Sequence, residues 1–169
     1  MKLVICEKPS VAKAVASALG VTSRADGCFE GNGLIVSWCV GHLVSPMDAA
    51  GYDLGYKKWK YDDLPILPEP FRYVLAKGKE DAFQNLKHLM ERENVTELVN
   101  ACDAGREGEL IFRLVYEMAA CTKPFSRLWI SSMEDAAIRK GFNDLRPGAE
   151  YDPLYQLSLI HISEPTRHA

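Results

Sequence analysis

Twice in this chain a short apolar run ends in an acid and is followed at once by residues that start a helix. Leu3-Val4-Ile5-Cys6 leads into Glu7, with Pro9 and Ser10 just behind it. Leu98-Val99-Asn100-Ala101-Cys102 leads into Asp103, followed by Ala104-Gly105-Arg106-Glu107-Gly108. Apolar runs of this length read as buried strands. Proline presets the helical φ, and a serine hydroxyl can cap free amides. Behind the first acid, Val11, Val15, Ala18 and Leu19 fall on one helical face that Gly20 closes. Behind the second, Leu110, Ile111, Leu114, Val115 and Met118 do the same. Strand and helix in alternation predict an α/β fold, with a mainly parallel central sheet flanked by helices.

The remaining signals fit around that frame. Glu30-Gly31-Asn32-Gly33 predicts a turn between Cys28-Phe29 and the run from Leu34 to Val40, an inserted hairpin. Residues 41–70 are rich in Gly, Pro, Asp and Tyr and read as loops with short elements. A helix over Lys79 to Met90 points Phe83, Leu86, Leu89 and Met90 inward. Leu128-Trp129-Ile130 reads as a strand. Ser132 and Asp135 form a capping-box-like start for a helix burying Ile138, Phe142 and Leu145.

Composition narrows the class. With 169 residues, 47% apolar and 25% charged, the chain can bury one sizeable core, which excludes a disordered or collagen-like protein. No apolar run approaches the roughly 18–20 residues that span a bilayer. The apolar stretch at the N-terminus is too short for a signal peptide, and Glu7 interrupts it. Five cysteines, without a Cys-x-x-Cys pair, predict reduced thiols in a cytoplasm, with neither a disulfide frame nor a zinc site. A net charge of -3 offers no bulk positive field, so any contact with nucleic acid must come from a local patch.

Ligands of open parallel sheets bind beyond the carboxyl ends of the strands, where Glu7 and Asp103 fall. With Glu107 nearby, these acids could hold Mg²⁺, a hard cation that takes oxygen ligands and keeps waters for a phosphate to replace. Crowded carboxylates also raise one another's pKa, which suits a general acid. The competing reading is that acids at a helix start only complement its dipole, and Glu109 is assigned to that role. Lys8 reads equally as a solvated turn residue. Gly105 to Gly108 lacks the Gly-Lys-Ser/Thr ending of a phosphate loop, so no ATP requirement is expected.

Several segments together resemble a known family. Glu7-Lys8-Pro9-Ser10 and Asp103-Ala104-Gly105-Arg106-Glu107-Gly108-Glu109 are similar to the motifs of a Toprim domain. Gly41-His42-Leu43, Tyr56-Lys57-Lys58-Trp59, Asp63-Leu64-Pro65 and Arg127-Leu128-Trp129-Ile130-Ser131-Ser132 sharpen the likeness. Residues 1–156 resemble the N-terminal Toprim domain of a bacterial type IA DNA topoisomerase of the topoisomerase III kind. The resemblance implies cleavage and religation of single-stranded DNA by a tyrosine in a later domain. Glu7 and Lys8 would be catalytic, as proton donor and as positive charge beside the phosphate. Glu7, Asp103 and Glu107 would hold Mg²⁺, while Trp59, Arg106 and His42 would contact DNA. Toprim domains commonly carry Asp-x-Asp; Gly105 stands at the second position here, so one Mg²⁺ is expected rather than two. A monomeric, cytoplasmic, nucleoid-associated protein without membrane contact is expected.

The end of the chain is unlike the rest. Leu157 onward, LSLIHISEPTRHA, resembles the translation of a sequencing-library adapter, so 157–169 is expected to be a non-native tail on a truncated gene. None of the chain's tyrosines has the family's nucleophile context, so the fragment alone is expected to be inactive. The alternatives are a stand-alone Toprim nuclease or primase-like protein, and a non-catalytic module that binds Mg²⁺ or nucleic acid.

Overall fold

A computed structural model describes residues 1–58, 60–66 and 70–162. Its first strand, β1 (Lys2–Cys6), is followed by α1 (Pro9–Ala18). Proline occupies the first turn of α1 and Lys8 is its N-cap, in extended conformation and without a side-chain cap bond. Ser10 therefore lies inside the helix and does not supply the expected cap; a first-turn proline has no amide there to satisfy. At the other end Gly20 adopts φ +69, the amide of Gly20 donates to Ser17 O (3.1 Å) and that of Val21 to Ala16 O (2.8 Å). That pair of bonds is the Schellman closure that a glycine at this position permits.

The chain then lays down three antiparallel strands: β2 (Ser23–Ala25), β3 (Cys28–Gly31) and β4 (Leu34–Trp38). Asn32 and Gly33 join β3 to β4 with φ values of 51 and 75, both left-handed as a tight hairpin requires. Next come β5 (Val44–Pro46), the short α2 (Ala49–Tyr52) and β6 (Tyr73–Leu75). β5 and β6 pair as a small separate sheet. The second half comprises α3 (Glu80–Glu91), β7 (Glu97–Ala101), α4 (Arg106–Met118), β8 (Phe125–Arg127), α5 (Asp135–Asn143), β9 (Arg146–Pro147) and α6 (Asp152–Ile162).

Among the described residues the main sheet has seven strands in the order β2-β3-β4-β1-β7-β8-β9. β4, β1, β7 and β8 run parallel, and antiparallel strands close both edges. Successive β1 side chains enter opposite cores, as the two-residue period of a strand demands. Leu3 and Ile5 pack with Leu86 of α3 and Phe112 of α4, whereas Val4 and Cys6 pack with Val15 of α1 and Ile138 of α5. Helices thus cover both faces, which leaves the two ends of the strands open to ligands, and in open parallel sheets the carboxyl end is the usual one.

Two further expectations need correction. The strand placed at Leu128–Ile130 lies at Phe125–Arg127. Just past it the Leu128 amide still donates to Asn100 O (2.9 Å), and the carbonyls of Cys102 and Leu128 accept from the Arg127 guanidinium (2.7 and 3.1 Å). The capping box at Ser132 and Asp135 does not form either: Glu134 is the N-cap of α5, and Ser132 Oγ accepts from the Glu134 amide at 3.2 Å. Of the side chains expected inside, Ile138 is buried, while Phe142 and Leu145 are partly buried against the same core.

Candidate active site at the carboxyl edge of the sheet

β1 and β7 are adjacent and in register, Cys6 opposite Ala101, so the residues that follow them emerge side by side. Glu7 directly follows β1, and Asp103 lies two residues beyond β7, one past Cys102, which takes the position opposite Glu7. The loop after β4 folds onto the same edge: the amide of Cys39 donates to Cys6 O (2.8 Å) and that of Gly41 to Glu7 O (3.3 Å). Gly41 has φ +69 with open space around it, so its backbone conformation, rather than crowding, calls for glycine. That turn swings His42 across to α4, where its Nε2 meets Glu107 Oε1.

A cavity of about 500 Å³ opens at this edge, lined by Glu7, Asp103, the Ala104–Gly108 segment, Leu110 and Ser158. Four expected site residues, Glu7, Asp103, Arg106 and Glu107, share it. Lys8 stands beside them, its Nζ 3.5 Å from Glu7 Oε1. Asp103, Arg106, Glu107 and Lys8 are exposed, whereas Glu7 is only 8% exposed. Trp59 lies outside the described residues.

The walls are set by close packing. A Cβ on Gly108 would lie 2.1 Å from Asp103 O, so the first turn of α4 rests directly on the Asp103 backbone. Gly105 precedes α4 with extended φ and ψ of 169 and 177, and nothing stands within 4 Å of where its Cβ would be.

The acid set suits a hard cation in one respect and is open in another. Glu7 Oε2 is buried without a hydrogen-bond partner among the described residues. A buried carboxylate oxygen needs a proton, a water or a cation. Among the described residues no three acids, histidines or cysteines converge into a ready-made metal cage, since Glu107 is turned toward His42. Mg²⁺ asks for few carboxylates and retains several waters, which an open, half-assembled cavity allows.

Glu109 stands in the first turn of α4, at the helix start expected of it, and it is also fully buried. Its Oε1 accepts from Arg113 Nε (2.8 Å) and its Oε2 from Asn100 Nδ2 (2.9 Å), and Arg127 Nε lies 3.1 Å from Oε2. Arg127 is likewise fully buried. Burial pulls its guanidinium below its usual pKa, while Glu109 pulls the other way. For Arg113 burial acts in the same downward sense, but its bonds to Glu109 and Asp152 win and its pKa is raised. The reading of the sequence assigned Arg127 no role of its own; an arginine among the apolar residues of a short strand was the available signal.

The five cysteines are free, four of them buried. Burial is the main cause pushing the Cys6 thiol upward, with Cys39 and Asp103 adding to it. No helix among the described residues is long and apolar enough to cross a membrane.

The chain is 46% identical to the DNA topoisomerase 3 of Shouchella clausii over 154 residues, covering 91% of this chain and 21% of that protein. Against the DNA topoisomerase 3 of Bacillus licheniformis it is 44% identical over 153 residues, again 21% of the relative. The chain thus spans about a fifth of the length of these relatives. Full-length topoisomerase I of Thermotoga maritima superposes with a TM-score of 0.61 at 22% identity, covering 93% of this chain and 22% of that one. At that identity the likeness speaks for the fold. The Toprim domain model matches residues 2–133, well over half of the 169, and the chain belongs to the Toprim domain family.

Proposed function

We propose that residues 1–156 are the cation-binding Toprim part of a type IA DNA topoisomerase, and that residues 157–169 are foreign to it. The observation that carries this reading is that Glu7, whose buried Oε2 has no partner among the described residues, lines a cavity together with Asp103 and Glu107. The relatives' names and the fivefold difference in length support it. The substrate is single-stranded DNA, the compartment is the bacterial cytoplasm around the nucleoid, and the protein acts as a monomer without ATP.

In the longer enzyme a tyrosine beyond this chain attacks a phosphodiester, and the bond from phosphorus to the 3′ oxygen breaks. The Glu7 carboxyl gives its proton to that leaving oxygen and takes it back on religation. Lys8, exposed at the rim, places positive charge against the phosphate; Arg106 grips the strand through its phosphates, with His42 and Trp59 as further contacts. One Mg²⁺, held by Glu7, Asp103 and Glu107, would supply charge neutralisation beside the phosphate for religation.

Sequencing the source DNA across codon 156 tests the assignment. A long reading frame with a later tyrosine nucleophile is expected; the same tail followed by a stop codon would withdraw the topoisomerase activity and leave a short Toprim module. In the restored enzyme, Glu7→Ala should abolish DNA cleavage with the fold intact, and Asp103→Ala should chiefly raise the Mg²⁺ requirement. Mg²⁺-dependent cutting without a protein–DNA adduct would indicate a nuclease instead.

A further inference from the structure

Glu109 and Arg127 form an ion pair with both side chains at 0% exposure. Such pairs are poor stabilisers, because desolvating two charges offsets most of their attraction, and apolar replacements of similar volume often fold as well or better. Their geometry suggests what else the pair does. Arg127 Nη1 donates to Asn100 O (3.0 Å) and Cys102 O (2.7 Å), and Nη2 donates to Asp103 O (2.7 Å). These carbonyls trace the end of β7 up to the residue that carries the candidate cation ligand. Glu109 belongs to α4, and its second oxygen holds Asn100 of β7 as well.

The pair therefore ties both ends of the segment 103–108, the floor of the cavity, to one buried point. Arg127 Nε sits within ion-pair distance of Glu109 Oε2 but is not aligned for a hydrogen bond. Charge, rather than a directional bond, holds the guanidinium at that nitrogen. A glutamine would keep the shape and lose the hold.

We infer that Glu109 is a positioning residue of the candidate site: through Arg127 it fixes the Asp103 backbone, and with it the direction of the Asp103 carboxylate relative to Glu7. Glu109 is not among the residues that line the cavity. Gly108 presses on the Asp103 backbone from α4 while Arg127 draws its carbonyl toward β8, so the turn is clamped from two sides. The inference rests on the reading of Asp103 as a cation ligand.

Four versions of the 169-residue chain test it: wild type, Asp103→Asn, Glu109→Gln, and the double variant Glu109→Leu with Arg127→Met, which removes both charges at similar volume. Urea unfolding reads the fold, amide hydrogen exchange reads residues 103–108 without cation, and calorimetric titration with Mg²⁺ reads the site. The double variant should fold with a lower midpoint than wild type, since Arg113, Asn100 and the carbonyls lose partners, exchange about tenfold faster at residues 103–106, and bind Mg²⁺ about tenfold more weakly; Glu109→Gln should shift exchange and Mg²⁺ affinity in the same sense. Wild-type exchange together with wild-type Mg²⁺ affinity would overturn the inference. So would a double variant that does not fold, since the pair would then serve the fold and not the turn. If wild type and Asp103→Asn bind Mg²⁺ identically, the ligand reading of Asp103 fails, and the cation-free exchange still judges the clamp.

Discussion

Gly108→Ala puts a methyl group where the structure has no room for one. The new Cβ would stand 2.1 Å from Asp103 O, 2.8 Å from Asp103 N and 3.0 Å from Asp103 C, all backbone atoms. Ordinary contact begins at 3.4 Å, so α4 and the Asp103 turn must part by about 1.3 Å. No rotamer change can relieve a clash with backbone. The first turn of α4 is also pinned by Glu109, Leu110 and Ile111, all buried. Overpacking of this kind costs about 3 kcal/mol. Alanine's better helix propensity returns about 1 kcal/mol. The net loss of about 2 kcal/mol lowers the melting temperature by about 4–8 °C in a chain of this size. Gly105→Ala is the matched control, because nothing lies within 4 Å of its Cβ. Thermal and urea unfolding of both variants decide the matter. Equal stability of the two, or a Gly108→Ala chain as stable as wild type, would refute the steric account of the site.

Other outcomes follow from the same coordinates. Gly105→Asp should fold normally, because the position is extended, open and a helix N-cap, where Asp is favoured by about 1 kcal/mol over non-capping residues. Its added carboxylate at the cavity should tighten Mg²⁺ binding, read by titration; unchanged or weaker binding would mean that position 105 does not face the cation. Arg92 grips Glu30 with two bonds of 2.9 and 3.0 Å, and that hydrogen bonding holds the Glu30 carboxyl below its ordinary value of 4.5. A depressed carboxyl contributes stability above its unfolded value and loses it as pH falls through the folded one. Glu30→Gln should therefore be about 0.5–1 kcal/mol less stable than wild type near neutral pH, and the gap should close as pH falls from 4.5 through the lowered folded value. A gap that persists in acid would assign the loss to packing.

How far the sequence reached depended on how local each signal was. The inward face of α3 came from residues three and four apart, and Phe83, Leu86, Leu89 and Met90 are the ones buried. The hairpin was legible in four consecutive residues, Glu30-Gly31-Asn32-Gly33, of which Asn32 and Gly33 take the left-handed turn. Glu7 and Asp103 were found because each follows an apolar strand, and the shared register of β1 and β7 brings them together. By contrast, β2 has three exposed residues and no alternation to betray it; it exists because β3 offers it an edge. Glu109 sits in the first turn of a helix, where an acid ordinarily complements the dipole, and only a distant arginine on β8 reveals its burial. The meeting of His42 with Glu107 joins residues 65 apart and depends on a turn at Gly41. Pairings of that kind are made by topology and leave no periodic trace.

The central claim is that the acids at the carboxyl ends of β1 and β7 form a cation site. The most direct measurement is a Mn²⁺ titration of the isotope-labelled 169-residue chain, following paramagnetic broadening residue by residue, with Mg²⁺ as competitor. The account predicts saturable broadening centred on Glu7, Lys8 and residues 103–108, reversed by Mg²⁺ and lost in Asp103→Asn. Broadening spread over the surface acids, or unchanged in that variant, would contradict it.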